Sequence, residues 1–292
     1  MQDTIALPSA EELPAVLVGL SVPHEDIDEL VANRPDPRRT PEVWELLQRL
    51  VRALITELKQ PDWPAPPDPY FYVYVFLAAL PHARALHRAR GIPDEVSRLT
   101  LADLGRHMAV HRRGFRSGGF GLPFWMSWHF RGELFQLGRL QFQRIALGTP
   151  IDALLRPAGL SYQDGEPALS VHIPAMYGPM SPSACDDSFA RAREFFPRYF
   201  PEERAGVAVC HSWLLDPQLA EYLPESANIL AFQRRFHVVP FTEQRDEDIQ
   251  RFVYGRVAPL DDQPRRTTLE RAVADHLRAG RHWYGGTGWL PL

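Results

Sequence analysis

The stretch that most constrains the fold runs from residue 168 to residue 241, where the pattern predicts strand, turn, helix, strand, helix and strand in that order. Leu169, Val171 and Ile173 alternate with Ser170 and His172, which is the period-two pattern of a half-buried strand. A strand followed by a turn and a helix is a frequent ligand-binding unit in α/β and α+β proteins. We therefore take this stretch as the centre of the fold.

A short loop joins that strand to the next predicted helix. It contains Gly178 and Pro179, and the helix begins with Ser181 as N-cap and Pro182 at the first helical position. The first N–H groups of a helix have no partner within the helix and carry partial positive charge, so this end of the helix can bind a phosphate. An ordinary turn that binds no ligand is the alternative.

A second buried strand begins at Val207 and Val209 and continues through CHSW at residues 210 to 213. After it, SANILAFQRRFHVVPF predicts a helix that begins near Asn228, ends in an aromatic cluster and runs directly into a strand. This order resembles the second half of the GNAT acyltransferase fold, and the residues at the positions of that superfamily's last motif are Asn228, Ala231, Phe232 and Phe236.

The segments CHSWLLDPQLAEYLP and LGRHMAVHRR also resemble an actinobacterial group of two-domain GNAT-like acyltransferases, over nearly the whole chain. The resemblance implies an α+β fold, with a helical N-terminal domain at residues 1–120 and a GNAT-like mixed sheet flanked by helices at residues 121–292. It further implies transfer of an acyl group from acyl-CoA to an unidentified small-molecule acceptor, for which an amine is expected. A non-catalytic GNAT-like protein that senses a ligand or binds a partner is the alternative.

The resemblance also locates a site, because in this superfamily the thioester lies between two splayed strands, here residues 169–174 and 207–213. His172, Cys210, His211 and Ser212 are the polar groups nearest the reacting carbon. A base must take a proton from the attacking amine, and the candidates are His211, His129 and Glu133. The residues expected to bind acyl-CoA are Ile173, Gly178, Met180, Ser181, Ser183 and Asn228. For each histidine, a packed core role is the alternative.

Three departures from the superfamily bear on the mechanism. The loop at residues 175–180 has one glycine and no basic residue, and Asp186 and Asp187 fall in the first turns of the helix. A carboxylate ~6 Å from a phosphate charge would oppose it by about 3 kcal/mol at an effective dielectric near 20. Gln233 stands where many members have a tyrosine that acts as the general acid.

A hydrolase with Cys210 or Ser212 as nucleophile is disfavoured, because the chain has no G-x-S-x-G motif.

Composition excludes several classes of protein. With 292 residues, 45% of them hydrophobic, the chain has enough apolar material for a core, and no apolar run reaches the ~20 residues of a membrane span. The N-terminus lacks a signal sequence, so we expect a cytoplasmic monomer or homodimer with reduced cysteines. A net charge of −4 argues against nucleic-acid binding. No metal is expected: His107 and His111 have helical ligand spacing but no third ligand.

Outside the central stretch, the patterns predict mostly helix in the first half and strands after the glycines at positions 114, 118, 119 and 121. We expect a helix at residues 41–60, a buried helix at residues 70–80 that is bent or broken at Pro81, and a capping box at Thr100 and Asp103 that begins a further helix. Residues 124–131 and 134–147 are expected to pair as antiparallel strands with a bulge at Gly138. The segment HWYGGTGWLPL is expected to be an edge strand or a tail.

Overall fold

Contacts within the chain divide it into two units, Met1–Phe135 and Gln136–Leu292. The described part of the first unit consists mainly of helices. The computed structural model describes residues 5–56, 59–148, 165–239 and 243–292. The helices of the first unit are α1 (Leu13–Gly19), α2 (His24–Ala32), α3 (Pro41–Thr56), α4 (Phe71–Ala89), α5 (Asp94–Leu101), α6 (Asp103–Phe115) and α7 (Pro123–Phe130). The predicted domain boundary at residues 120 and 121 stays a prediction, because a division by contacts does not measure independent folding.

The core of the first unit is built around α4, whose first ten residues are all buried, as the uniformly apolar sequence predicted. Of the predicted bend or break at Pro81, the break is wrong, since α4 continues through Pro81 to Ala89, and the bend stays a prediction. Leu80 and Ala83 are buried on either side of the proline and hold the helix in place where it lacks one hydrogen bond. None of the described helices is both long enough and apolar enough to cross a bilayer.

Two further predictions in this unit are wrong. Thr100 does not cap a helix; it lies inside α5, and α6 begins at Asp103 with Ala102 as N-cap and no side-chain cap. Residues 124–131 do not form a strand, because Pro123 occupies the first turn of helix α7. Met126 and Phe130, one helical turn apart, both enter the core, so tertiary packing outweighs the strand preference of the aromatic residues.

Apart from the first two residues of β1, the second unit contains a mixed sheet in the order β1-β2-β3-β4-β7-β5, with β6 also paired to β7. The strands are β1 (Leu134–Leu137), β2 (Leu140–Ala146), β3 (Pro167–His172), β4 (Val207–Ser212), β5 (His237–Val238), β6 (Glu243–Gln244) and β7 (Tyr284–Pro291). The helices are α8 (Pro182–Tyr199), α9 (Asn228–Gln233), α10 (Asp246–Tyr254) and α11 (Thr268–Arg278). The predicted α+β class, with a helical part followed by a mixed sheet flanked by helices, is confirmed.

Two details of the sheet differ from the prediction. Gly138 lies at φ +76° in the turn between β1 and β2, so the expected bulge within a strand is wrong. The C-terminal segment is neither an edge strand nor a tail: β7 lies between β4 and β5 and pairs antiparallel with both. The predicted turn at Asp164 falls outside the described residues.

Gly105 generates a prediction about the first unit, because the turn after α1 crosses α6 at this position. A Cβ there would lie 2.1 Å from the carbonyl carbon of Ser21, and the Gly105 N–H donates to Leu20 O at 3.2 Å. Gly105→Ala should lower the free energy of unfolding by about 3 kcal/mol, since the atoms it meets are backbone atoms that cannot rotate away. Urea unfolding measures the change.

Gly19→Ala is the matched control, since no atom lies within 4 Å of a Cβ at that position in α1. We expect it to leave the stability within about 1 kcal/mol of the parent. Equal stabilities for the two variants would contradict the close crossing at Gly105.

Candidate active site

The two central strands β3 and β4 pair only over a short parallel register, Leu169 with Ala208 and Ser170 with Val209. Beyond these positions the register shows no further pairing of their facing edges. Their outer edges stay paired to the end, because His172 is still opposite Gln141 of β2 and Ser212 is still opposite Gly286 of β7. The register ends on β3 at Ser170, before the position after Ile173 where divergence was predicted, and a gap between the strands stays a prediction. We call the unpaired facing edges of β3 and β4 beyond this register the slot.

Each face of the sheet presents a different set of side chains to the slot. Ala168, Val209 and Trp289 share one apolar cluster, so the alternation along each strand places His172 and His211 on that same face. The opposite face carries Phe142, whose ring contacts Phe189 of α8 at a centroid distance of 5.5 Å. Two histidines from different strands thus flank the slot on one side of the sheet.

His211 lies near the end of β4 with its side chain 54% exposed. Its Nδ1 is 2.9 Å from the hydroxyl oxygen of Thr287 on β7, and its Nε2 is 3.9 Å from Glu243 Oε2. Partial burial and the positive charge of Arg245 lower the pKa of His211 against the opposing effect of Glu243. A lowered pKa keeps the imidazole neutral near pH 7, and a neutral imidazole can accept a proton.

His172, at the end of β3, is half-buried, and its Nε2 is 2.9 Å from Gln143 Oε1. An amide oxygen only accepts, so the imidazole Nε2 carries the hydrogen and Nδ1 is the nitrogen that can accept a proton. The resemblance implied that His172 is a polar group near the reacting carbon. The hydrogen bond that orients it is formed with a residue 29 positions away, which the sequence pattern does not reveal.

Cys210 points to the opposite face of the sheet from the two histidines. It is 1% exposed, and burial raises the pKa of its thiol to about 12. A thiol with this pKa is not ionised at neutral pH, so Cys210 packs as a small apolar side chain. A chemical role for Cys210 in the reaction stays a prediction.

The other two candidate bases lie in the first unit, and both have ionic partners there. His129 on α7 is fully buried, with Nε2 3.1 Å from Asp103 Oδ2 and Nδ1 3.2 Å from Trp125 O. Glu133 accepts from Arg131 Nε at 2.7 Å. Their roles as bases stay predictions.

Asp103, the partner of His129, is buried on α6. Burial opposes its ionisation, but hydrogen bonds from His107 and His129 outweigh burial and hold the pKa of this carboxyl well below its usual range. The two ring nitrogens of His107 and His129 that face Asp103 are 3.2 and 3.1 Å from Oδ2. Among the described residues, no three His, Cys, Asp or Glu side chains are grouped to hold a metal ion.

The residues expected to bind acyl-CoA lie around the start of α8. Ser181 caps this helix, with its hydroxyl oxygen accepting from Ala184 N at 3.3 Å, and Ser183 Oγ lies 3.3 Å from Ser181 Oγ. In the preceding loop Tyr177 and Gly178 both have positive φ, +78° and +76°. The predicted cap is confirmed, whereas ligand roles for the residues around it stay predictions.

The remaining three of these residues flank the helix start. Ile173 follows the end of β3, and Met180 is buried directly before the cap. Asn228 is half-buried as the first residue of α9. The predicted helix that begins at Asn228 and leads into a strand is confirmed by α9 and β5.

Two arginines that sequence reasoning missed reach the start of α8 from distant parts of the second unit. Arg139 follows the turn after β1, and its Nε donates to Gly178 O at 2.9 Å. Arg235 follows α9, and its Nη2 donates to Pro182 O at 2.9 Å. Nη1 of Arg139 and Nε of Arg235 are buried and have no hydrogen-bond partner among the described residues. The loop itself lacks a basic residue, but the folded helix start has two.

Ion pairs of the two aspartates with Arg235 and Arg191 also correct the expected repulsion of a phosphate. Asp186 forms an ion pair with Arg235 Nη1, and that hydrogen bond lowers the pKa of the Asp186 carboxyl. Asp187 pairs with Arg191 Nε at 2.7 Å. Each carboxylate near the start of α8 therefore has a cation beside it, and the net negative charge predicted from the sequence is absent.

Gln233, which occupies the position of the superfamily's tyrosine acid, forms a structural contact. Its Nε2 donates to Leu214 O at 2.7 Å and to Asp216 O at 2.9 Å. These hydrogen bonds join α9 to the chain that follows β4. The group that protonates the departing thiolate is therefore not on this side chain.

Comparison with known proteins agrees with this geometry. The N-acyltransferase N-terminal domain family matches residues 11–132, and the GNAT-like C-terminal domain family matches residues 134–290. A solved acyltransferase structure in complex with decanoyl-CoA and teicoplanin is 40% identical, with a TM-score of 0.90 over 100% of this chain and 91% of that chain. An acyltransferase mutant in complex with octanoyl-CoA has the same identity, TM-score and coverage. No protein with a curated description matches.

The identity and the family matches apply to nearly the full length of the chain, and the related structures hold acyl-CoA. They confirm the resemblance inferred from the sequence and identify acyl-CoA as the co-substrate. The chain belongs to the family of two-domain acyltransferases that combine an N-acyltransferase N-terminal domain with a GNAT-like C-terminal domain, and it transfers an acyl group from acyl-CoA to an acceptor.

Proposed function

We propose that this enzyme transfers a medium-chain acyl group from acyl-CoA to the amine of a small glycopeptide acceptor, with the thioester bound in the slot. The observation that carries the proposal is the early end of the register between β3 and β4, beside a helix start that two arginines reach. Related structures hold octanoyl-CoA, decanoyl-CoA and teicoplanin, which supports the acyl length and the class of acceptor. A cytoplasmic location and a monomeric or homodimeric state stay predictions.

The start of α8 binds the pyrophosphate of acyl-CoA in this proposal. The unpaired N–H groups of the first helical turn point out of the helix and favour negative charge. The guanidinium groups of Arg139 and Arg235 each have a buried nitrogen without a partner among the described residues. A phosphate oxygen satisfies such nitrogens through charge-assisted hydrogen bonds.

The slot then positions the reacting carbon. Beyond Ser170 the inner edge of β3 is no longer paired with β4, so its backbone groups are available to bind the pantetheine amides and to polarise the thioester carbonyl. The acceptor amine attacks the carbonyl carbon, a C–N bond forms, the C–S bond breaks and CoA leaves as the thiolate. A histidine takes the proton lost by the nitrogen.

His211 is the base in this proposal, because its lowered pKa keeps it neutral and its exposed ring is accessible to an acceptor. His172 lies on the same face of the sheet, with its Nε2 hydrogen directed to Gln143. Its role in the proposal is to orient the donor.

Blocking the acceptor nitrogen tests the reaction itself. With decanoyl-CoA as donor, a teicoplanin-class glycopeptide that carries a free amine should give the acylated product, and the same glycopeptide with the amine acetylated should give none. Mass spectrometry measures both products. Equal acylation of the two acceptors would place the reaction on a hydroxyl and overturn the amine assignment.

Removal of the phosphate-binding charge should weaken donor binding selectively. Arg139→Gln and Arg235→Gln should each raise the KM for acyl-CoA at least about tenfold, since each removes a charge-assisted hydrogen bond. With acyl-pantetheine, which lacks the pyrophosphate, the variants should match the parent. Steady-state kinetics with both donors measures the difference.

Arg198→Gln is the control for these variants, because Arg198 is an exposed cation in the last turn of the same helix, at the opposite end from Ser181. Its KM for acyl-CoA should equal that of the parent. Equal losses with acyl-CoA and acyl-pantetheine would contradict a phosphate role for Arg139 and Arg235.

The base assignment predicts a pH dependence. The neutral imidazole accepts the proton, so kcat should fall as the pH drops through the pKa of His211. Because that pKa is lowered from 6.5, the fall should lie at a more acidic pH than for an ordinary histidine. His211→Gln should lower kcat about a hundredfold or more and remove this acid limb.

His172→Gln is the matched variant for the base, as it changes the other histidine of the slot. It should raise the KM for the donor and retain the acid limb of the kcat profile. If His172→Gln removes the limb and His211→Gln retains it, the base is His172.

A further inference from the structure

A cavity of about 220 Å³ lies within the first unit, between the second half of α4, α5 and the turn after α1. Its apolar wall consists of Leu20, Ile92 and Leu101. The polar residues that line it are Arg84, His87, Arg88, Asp94, Ser97 and Arg98. None of these residues belongs to the slot or to the start of α8.

The end of α4 shapes the apolar wall of this cavity. Gly91 has φ +72°, a conformation that ends the helix, and Ile92 N then donates to His87 O at 3.0 Å. This hydrogen bond folds Ile92 back against α4, where it is 4% exposed. The wall is therefore fixed by the backbone.

His87 has hydrogen-bonding capacity that the protein does not use. The side chain is 1% exposed, and its Nδ1 is 2.7 Å from Ser97 Oγ. Its Nε2 is buried and has no partner among the described residues. Burial lowers the pKa of His87 to about 4, so the ring is neutral at pH 7. When the Ser97 hydroxyl donates to Nδ1, Nε2 carries a hydrogen that an anion oxygen can accept.

The charged residues around the cavity have an excess of positive charge. Three arginines and one aspartate line it, which leaves an excess of two positive charges. Among the described residues, Arg84, Arg88 and Arg98 form no ion pair. Arg84 and Arg88 are four positions apart on α4, so their like charges lie on the same face of the helix and repel each other. An anion bound between them removes this repulsion.

We propose that this cavity binds a small organic anion with an apolar body, namely a carboxylate whose charge lies among the three arginines. The apolar body contacts Leu20, Ile92 and Leu101. A cavity of about 150 Å³ accommodates benzene, so this one accommodates a body of that size with its carboxylate. An inorganic anion would leave the apolar wall without a partner. The site is separate from acyl transfer and does not depend on the proposed acceptor.

Benzoate is the probe, with benzamide as its neutral counterpart of equal size. Titration of the intact protein with benzoate, followed through the ring Cε1–H signal of His87 by NMR, should give a saturable shift. Benzamide should bind at least tenfold more weakly, because it lacks the charge. Combined replacement of Arg84, Arg88 and Arg98 by glutamine should weaken benzoate binding at least tenfold, and each single replacement should weaken it in part.

Arg49→Gln is the control, because Arg49 is an exposed arginine of the same unit on α3 that does not line the cavity. It should leave benzoate binding unchanged. The single variants change exposed side chains only, so they test the proposal even if the triple variant fails to fold.

Benzoate affinity that is equal in the parent and in every arginine variant would overturn the proposal. If inorganic phosphate at the same concentration displaced benzoate, the claim that the ligand needs an apolar body would be overturned.

Discussion

The proposed active site depends on one interruption of backbone hydrogen bonding, the early end of the register between β3 and β4. The outer edges of these strands remain paired with β2 and β7 to their last residues, so the interruption is confined to their facing edges. Backbone groups on an unpaired edge need water, a ligand or another chain as hydrogen-bond partners. In the proposed mechanism, the amide groups of the donor are those partners.

The start of α8 shows how charge at a binding site is decided by the fold. Its sequence contains two aspartates and no cation, which by itself opposes a phosphate. In the folded chain Arg139 and Arg235 arrive from either side, one 42 positions before the cap at Ser181 and the other 54 positions after it. Ser188 of α8 holds the turn that carries Arg139, because its hydroxyl accepts from Arg139 N at 2.8 Å. The same helix thus supplies the N–H groups of the proposed phosphate site and holds the turn that carries one of its guanidinium groups.

The errors of the sequence analysis have a common physical origin. Residues 124–131 have the aromatic composition of a strand, yet Met126 and Phe130 enter the core one helical turn apart. A bend or break was expected at Pro81, but α4 continues through it with its neighbours Leu80 and Ala83 buried. In each case burial in the core outweighed a local preference, which for a proline inside a helix is about 3 kcal/mol.

The sequence by itself determined the order of strands and helices in the central stretch, the cap at Ser181 and the Asn228 helix, because alternation, capping and turn residues act within a few positions of the chain. The resemblance to a family, rather than a local pattern, implied that His172 and His211 lie near the reacting carbon. Only the tertiary structure decided that these histidines share one face, that Cys210 is buried on the other, and that Arg235 and Arg191 pair with the two aspartates at the start of α8. The burial of a side chain and the charge around it depend on neighbours from the whole unit. A local sequence pattern does not show which residues those neighbours are.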